Sequence, residues 1–432
     1  GLMKKFTKIS GMLFVAAIMT FAFSSESQAV PAFARQMGVA CTTCHFQHYP
    51  ALNAFGRAFK ASGFTQIGSQ AKIEDEGLSL PATLNASLVT KIRLQRTDGD
   101  TKIGTDVEGI GELQFPDEAA LLIGGRAAEH VGFLGEFALG NGVDSFTSFK
   151  VPFSFEVGDG RFDFIPYVTD SLGASYGFEV LNTGAVRNHR TFEEKDAVSA
   201  QQYVGTGTAA KGFAFVYYTD MFHVNASLWG PASSGATSLK SLSNYVRVAA
   251  TPQVAGWDLG VGAQLWAGTT ELGDKGEATA TAFDPTLPTY IPATMTTTNT
   301  KVDTKAMAID FQAQGMAGAM PLGVYLTYGS ADATSAGSTA NLFNANPNAK
   351  TAMTLTAELG VVPNKVTVGA GYRMGDNGKA TANKDNAALI AATYQVAQNV
   401  QVQLDYQMLS GDANDAAGAQ KNRTTLMLFS AF

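Results

Sequence analysis

Residues 401–408 read Gln-Val-Gln-Leu-Asp-Tyr-Gln-Met, with an apolar side chain at every second position and an amide or carboxylate between them. A strand sends successive side chains to opposite faces, so this run has one oily and one wet side. The same period recurs at 84–94, 213–217, 259–267, 322–328 and 366–372. Further candidates stand at 110–115, 119–127, 132–139, 151–157, 161–168, 176–181, 223–229, 245–249, 307–313, 353–359, 389–396 and 423–431. Together they predict about sixteen strands, an even number within the range of roughly 8 to 26 known for single-chain outer-membrane barrels.

A water-soluble barrel of this length would need large apolar side chains inside. Here the second face carries Asn, Gln, Glu, Asp, Ser and Gly. Polar residues around a lumen with apolar residues facing out is the outer-membrane pattern, and hydrocarbon tolerates no open sheet edge. Residues 80–432 are therefore read as an all-β, transmembrane antiparallel β-barrel in a bacterial outer membrane, with membrane lipid as its surroundings. The 45 glycines suit strands and turns better than a helical fold. Tyr217, Tyr218, Trp229, Trp257, Trp266, Tyr328, Tyr372 and Tyr406 are candidates for the interfacial aromatic girdles. The long connections at 270–303, 330–350, 411–420 and 187–200 are expected outside the cell, because such barrels keep their short turns on the periplasmic side.

From Met3 the chain has a basic start, an apolar core over 11–23 and small residues at Ser27 and Ala29, which reads as a secretory signal over 1–29. Its apolar core is too short for a membrane helix. Removing Lys4, Lys5, Lys8 and Glu26 from the chain's 30 basic and 37 acidic residues leaves 27 against 36, a net charge of −9. With no basic block, nucleic acid is not an expected partner.

Ahead of the barrel stands Cys41-Thr42-Thr43-Cys44-His45, which contains the only two cysteines of the 432 residues. C-x-x-C-H is the attachment signature of a c-type haem: two thiols bond the porphyrin edge and the adjacent imidazole reaches the iron. Two cysteines one helical turn apart point to the same side, which that chemistry needs. A thioredoxin-like redox pair needs no such histidine and follows a strand absent here, while zinc would need further thiolates that the chain lacks. One covalent haem c is the expected cofactor.

The haem segment is placed at 30–75, as a small helical plug too short to build a core of its own. Leu52, Phe55, Phe59 and Phe64 are candidates to line a helical face against the porphyrin, joined by Phe33 and Phe46. For the sixth iron ligand Met37 comes first by proximity and softness. His48 comes second, and a hydrogen bond to a propionate or backbone group suits it better because it lies three residues from His45. Arg35, Arg57 and Lys60 are candidate partners of the haem propionates. His130, His189 and His223 complete the five histidines and are read as lumen residues of the barrel.

The run VPAFARQMGVACTTCHFQHYPALNAFGRAFK, followed by a long barrel, resembles the outer-membrane monohaem cytochrome-porin family of iron oxidisers. The specific part of the resemblance is the haem segment; the barrel is similar in length and texture. It implies an iron(II) oxidase or electron-transfer cytochrome that takes single electrons from extracellular Fe(II), or another extracellular redox partner, and passes them to a periplasmic cytochrome or other carrier. By the same resemblance Cys41 and Cys44 carry the covalent links and His45 the proximal ligation. Outward transfer to extracellular acceptors, and a porin whose haem only staples the plug, are the alternatives the residues leave open.

Overall fold

The computed structural model describes residues 32–98, 111–139, 146–187, 192–232, 239–274 and 298–432; the expected signal peptide and His189 lie outside them. Sixteen antiparallel strands close into a barrel. They are β1 Ala86–Thr97, β2 Glu112–Ala128, β3 Val131–Ala138, β4 in two pieces (Phe146–Lys150 and Phe153–Val157), β5 Gly160–Thr169, β6 Ala210–Tyr218, β7 Phe222–Pro231 and β8, again in two pieces (Ser243–Ala250 and Gln253–Val254). The second half comprises β9 Trp257–Ala267, β10 Ala306–Ala317, β11 Met320–Ala331, β12 Lys350–Val362, β13 Val366–Asp376, β14 Asn386–Ala397, β15 Val400–Ser410 and β16 Asn422–Ala431. β16 pairs with β1 from Arg423↔Thr97 to Ala431↔Val89, so no edge is left. The interruptions in β4 and β8 fall at Pro152 and Pro252, where the ladder lacks an N–H donor.

The alternation read from the sequence is the alternation seen. On β15 the lumen-facing Asp405 is 1% exposed while its neighbour Leu404 is 52% exposed. That is inverted relative to a water-soluble protein. Leu265, Ile309, Leu355 and Ile390 share the outer face, which suits hydrocarbon, where each such side chain gains about 1.5–3 kcal/mol on leaving water. Turns of two or three residues join β2 to β3, β4 to β5, β10 to β11, β12 to β13 and β14 to β15. The chain enters β1 and leaves β16 at this same short-turn end, which is the periplasmic end of such a barrel.

Four expectations change. Residues 110–115 and 119–127 belong to one long strand, β2, whose register shifts opposite Lys91 and Arg93 near Pro116. Residues 176–181 form no strand: Tyr176, Phe178, Val180 and Leu181 are all buried, with no exposed partner face, because residues 170–187 and 192–209 fold into the lumen instead of projecting outward. A 3-10 turn at Ala174–Gly177 and helix Ala200–Val204 shape this inward loop. The loop also carries residues 192–200 inward, where an outer loop was expected over 187–200; residues 188–191 of that expectation lie outside the described residues. Finally, Tyr328, Tyr372 and Tyr406 face outward as girdle residues should, but Trp229, Trp266 and Tyr218 point into the barrel. Trp229 and Trp266 pack there with Phe343 and Tyr245, so part of the lumen is an apolar core rather than a wet channel.

Candidate functional site

The haem motif lies in a plug seated in the short-turn end of the barrel. Three short helices build it: α1 Ala32–Met37, α2 Cys41–Cys44 and α3 Ala54–Ala61. Its small core is Phe33, Phe59 and Phe64, with Phe33 stacked on Phe64 at 4.7 Å and edge-on to Phe59 at 5.3 Å. Phe59 and Phe64, expected to line a porphyrin face, are buried in the plug's own packing with Phe33; Phe55, one turn earlier on α3, stays 45% exposed.

The two cysteines sit one turn apart on α2, half-buried and not joined to each other. The His45 amide donates to the Cys41 carbonyl at 2.9 Å and caps that turn. Asn53 locks it to α3: its side chain accepts from the Gly56 amide at 3.0 Å as a helix N-cap and donates to the Thr43 carbonyl at 3.0 Å. A Cβ at Gly56 would stand 2.2 Å from the Cys44 carbonyl oxygen, so only glycine lets α3 come this close. Neither Asn53 nor Gly56 was singled out from the sequence, although Asn ahead of an apolar-periodic run is a helix-start signal.

The plug is tied to the barrel by polar groups. Arg35 donates to the Ala86 carbonyl where β1 begins. The Cys41 amide donates to the Gln398 side chain, on the β14–β15 turn, at 2.8 Å. Gln47 donates to the Pro321 carbonyl at 2.9 Å and the Glu358 carbonyl at 3.2 Å. His48 is enclosed, with Nδ1 2.6 Å from the Tyr49 carbonyl and Nε2 2.6 Å from a Glu358 carboxylate oxygen, and Thr367 donates to that same oxygen at 2.8 Å. Arg57 donates twice to Asp258 at 2.9 Å. Lys60 stands 4.0 Å from Glu179 of the inward loop, so plug and loop meet inside the lumen.

These contacts place the candidate residues. Arg35 and Arg57, expected beside propionates, donate to barrel acceptors, Arg57 through Nη2 only, its Nε and Nη1 being buried without a hydrogen bond. His48 has both ring nitrogens engaged, so as placed it is a tether to β12 rather than an iron ligand. Met37 closes α1, half-buried, with its backbone against Gly68. The structure therefore brings Cys41, Cys44 and His45 together and sends His48 and Arg57 to the wall.

Electrostatics separate this motif from a redox dithiol. Burial pushes both thiols up, Cys44 to about 11 with the neighbouring Cys41 adding to the effect. A disulfide-exchange cysteine needs the opposite, a stabilised thiolate. For His48 burial disfavours the charged form, but the Glu358 carboxylate outweighs it and the net shift is upward. The donor set suits a covalently attached haem: two neutral thiols on one side of a turn and the adjacent imidazole.

No family model matches the chain, and no curated protein matches it. Among solved structures, OprB of Pseudomonas putida at high pH aligns with a TM-score of 0.52 over 81% of this chain and 94% of its own, at 11% identity. A loop L8 deletion mutant of OmpT from Vibrio cholerae aligns at 0.49 over 81% and 99%, with 14% identity. Salmonella typhi OmpF in complex with daunomycin aligns at 0.48 over 84% and 100%, with 13% identity. At these identities the likeness concerns the fold: this chain is an outer-membrane, porin-like β-barrel.

Proposed function

We propose that this barrel is an outer-membrane c-type cytochrome-porin that moves single electrons between an extracellular donor, Fe(II) in the first place, and a periplasmic carrier. The observation that carries the reading is the position of the C-x-x-C-H turn: it is built into a plug that seats in the periplasmic mouth. A free-standing signature could lie anywhere. Here Asn53, Gly56 and the His48–Glu358 pair fix one turn where a periplasmic partner can approach it.

The chain's residues divide the work. Cys41 and Cys44 would hold the haem by thioether bonds and His45 would ligate its iron; when bound, that group supplies reversible one-electron chemistry. Arg57 and His48 keep the segment docked against Asp258 and Glu358. The inward loop, packed on Trp229, Tyr245 and Trp266, narrows the lumen above the plug, which favours electron passage over free diffusion of solutes. For this reason the reading of a plain porin with a structural haem ranks second. Direction follows the partners' potentials rather than the fold, so outward transfer uses the same parts.

The test is reconstitution into liposomes with Fe(II) outside and an electron acceptor trapped inside. Acceptor reduction without iron entry is expected, and it should vanish in His45→Ala. Equal reduction by that variant would refute the proposal.

A further inference from the structure

Between β1, β2 and the inward loop lies a cavity of about 440 Å³ that the plug does not use. Among the described residues, most of the charged groups lining it are paired. Lys195 and Arg93 both bond Asp117, at 2.5 and 2.6 Å. Lys91 bonds Glu118 at 2.6 Å and lies 3.3 Å from Glu193. Three cations thus face three carboxylates. The remaining pair, Arg187 and Glu194, is not joined: Arg187 Nε and Glu194 Oε2 are both buried without a hydrogen-bond partner. A buried guanidinium edge and carboxyl oxygen left open in a cavity call for a ligand, since each unmet group costs its full desolvation.

The charge of that ligand follows first from the unmet Arg187 Nε–H, a cationic donor, and the state of Glu194 agrees with it. Burial pushes its carboxyl up to about 8; Asp405 of β15 and, within the loop, Asp196 and Glu193 act in the same direction, and only Arg373 of β13 opposes them. Near neutral pH it therefore keeps its proton and offers an O–H donor. Glu193, partly buried, is held down at about 2 by Lys91, Arg187 and Arg93, and stays charged. With Glu194 protonated, the lining residues carry one positive charge in excess, and the unmet polar atoms are the Arg187 Nε–H and one Glu194 carboxyl oxygen. The excess charge and the guanidinium N–H are complementary to an oxyanion. Over a third of the Lys195 and Glu118 side chains is exposed, so the space opens to solvent, and the plug closes the opposite end of the lumen.

We propose that this cavity binds a small oxyanion, a carboxylate or phosphate entering from the long-loop end, with Arg187 as its charged partner and the unmet carboxyl oxygen of Glu194 as a second polar contact. The site is independent of the haem and of the electron-transfer reading.

The experiment is calorimetric titration of the full detergent-solubilised protein with citrate, with inorganic phosphate and, as a cationic control, with choline. Citrate or phosphate is expected to bind and choline not; which of the two binds tighter separates a carboxylate source from a phosphate source. Affinity should fall as pH rises through about 8, because Glu194 becomes a second anion in the site. Arg187→Gln should weaken binding by roughly tenfold or more, the loss of one charge-assisted bond. Glu194→Gln should keep the binding and flatten the pH profile. The wild-type titration stands without either variant: no anion binding, or equal binding of choline, overturns the proposal. Unchanged affinity in a folded Arg187→Gln does so as well.

Discussion

The plug and the inward loop fill the same lumen from opposite ends, but they are held by different forces. The plug has a core of three aromatic rings and reaches the wall through directional bonds: Arg57 to Asp258, His48 to Glu358, Gln47 to two carbonyls. The loop contributes Tyr176, Phe178, Val180 and Leu181 to an apolar cluster continuous with Trp229, Tyr245 and Trp266 of the wall. Apolar packing is forgiving of position, whereas a buried ion pair fixes one arrangement. A segment that must hold two thiols and an imidazole in register gains from the second kind of attachment; a segment that narrows a passage needs only the first.

The contrast can be broken from either side. Phe178→Ala is expected to have the largest effect on stability, about 4 kcal/mol, by opening a cavity between the loop, Tyr218 and His223. Denaturant unfolding in detergent would report it, while protease cleavage of the plug from the periplasmic face should not change. Glu358→Ala should act the other way. It strands a buried His48 at a cost of about 3 kcal/mol and exposes residues 32–66 to protease while the barrel stays folded. If both variants loosen plug and loop alike, the two attachments are not separate.

The same tether predicts a pH dependence. The His48 value is raised above 6.5, so the stabilisation from this pair is complete below about pH 6.5 and is lost as pH climbs through the raised value. Protease protection of the plug should therefore weaken on the alkaline side and be unaffected by acidification to pH 6. Weakening on the acid side first would contradict the pairing. The smallest expected effect is Asn53→Ala, about 1 kcal/mol from the lost helix cap, seen as faster alkylation of Cys44 in haem-free protein.

How much of this could be read from the chain depends on whether the signal was local. Strand parity is local: Leu404 against Asp405 gives both the membrane face and the lumen face, and repeating that test gives eighteen runs, which become the sixteen strands once 110–115 joins 119–127 and 176–181 drops out. The C-x-x-C-H spacing is local too. What failed was parity in a segment apolar on both faces: Tyr176, Phe178 and Val180 alternate as a strand would, but the buried Leu181 and Tyr167 beside them mark a packed loop. Trp229 and Trp266 failed for a related reason, since an aromatic on a strand suits an interfacial girdle and a filled lumen equally. The partners of Arg57 and His48 were invisible because they lie 201 and 310 residues away, and nothing in either neighbourhood marks Asp258 or Glu358 as the acceptor.

The central claim is that Cys41, Cys44 and His45 hold one redox-active porphyrin in the periplasmic mouth. Its most direct measurement is the haem content of the exported protein, purified in detergent from a host able to attach haem c, with intact mass and optical spectra read together. One covalent haem per chain, a reversible change of spectrum on reduction, and loss of the covalent adduct in the Cys41→Ala, Cys44→Ala double variant are predicted. A colourless, correctly folded barrel in which both thiols react freely with an alkylating reagent would contradict the account.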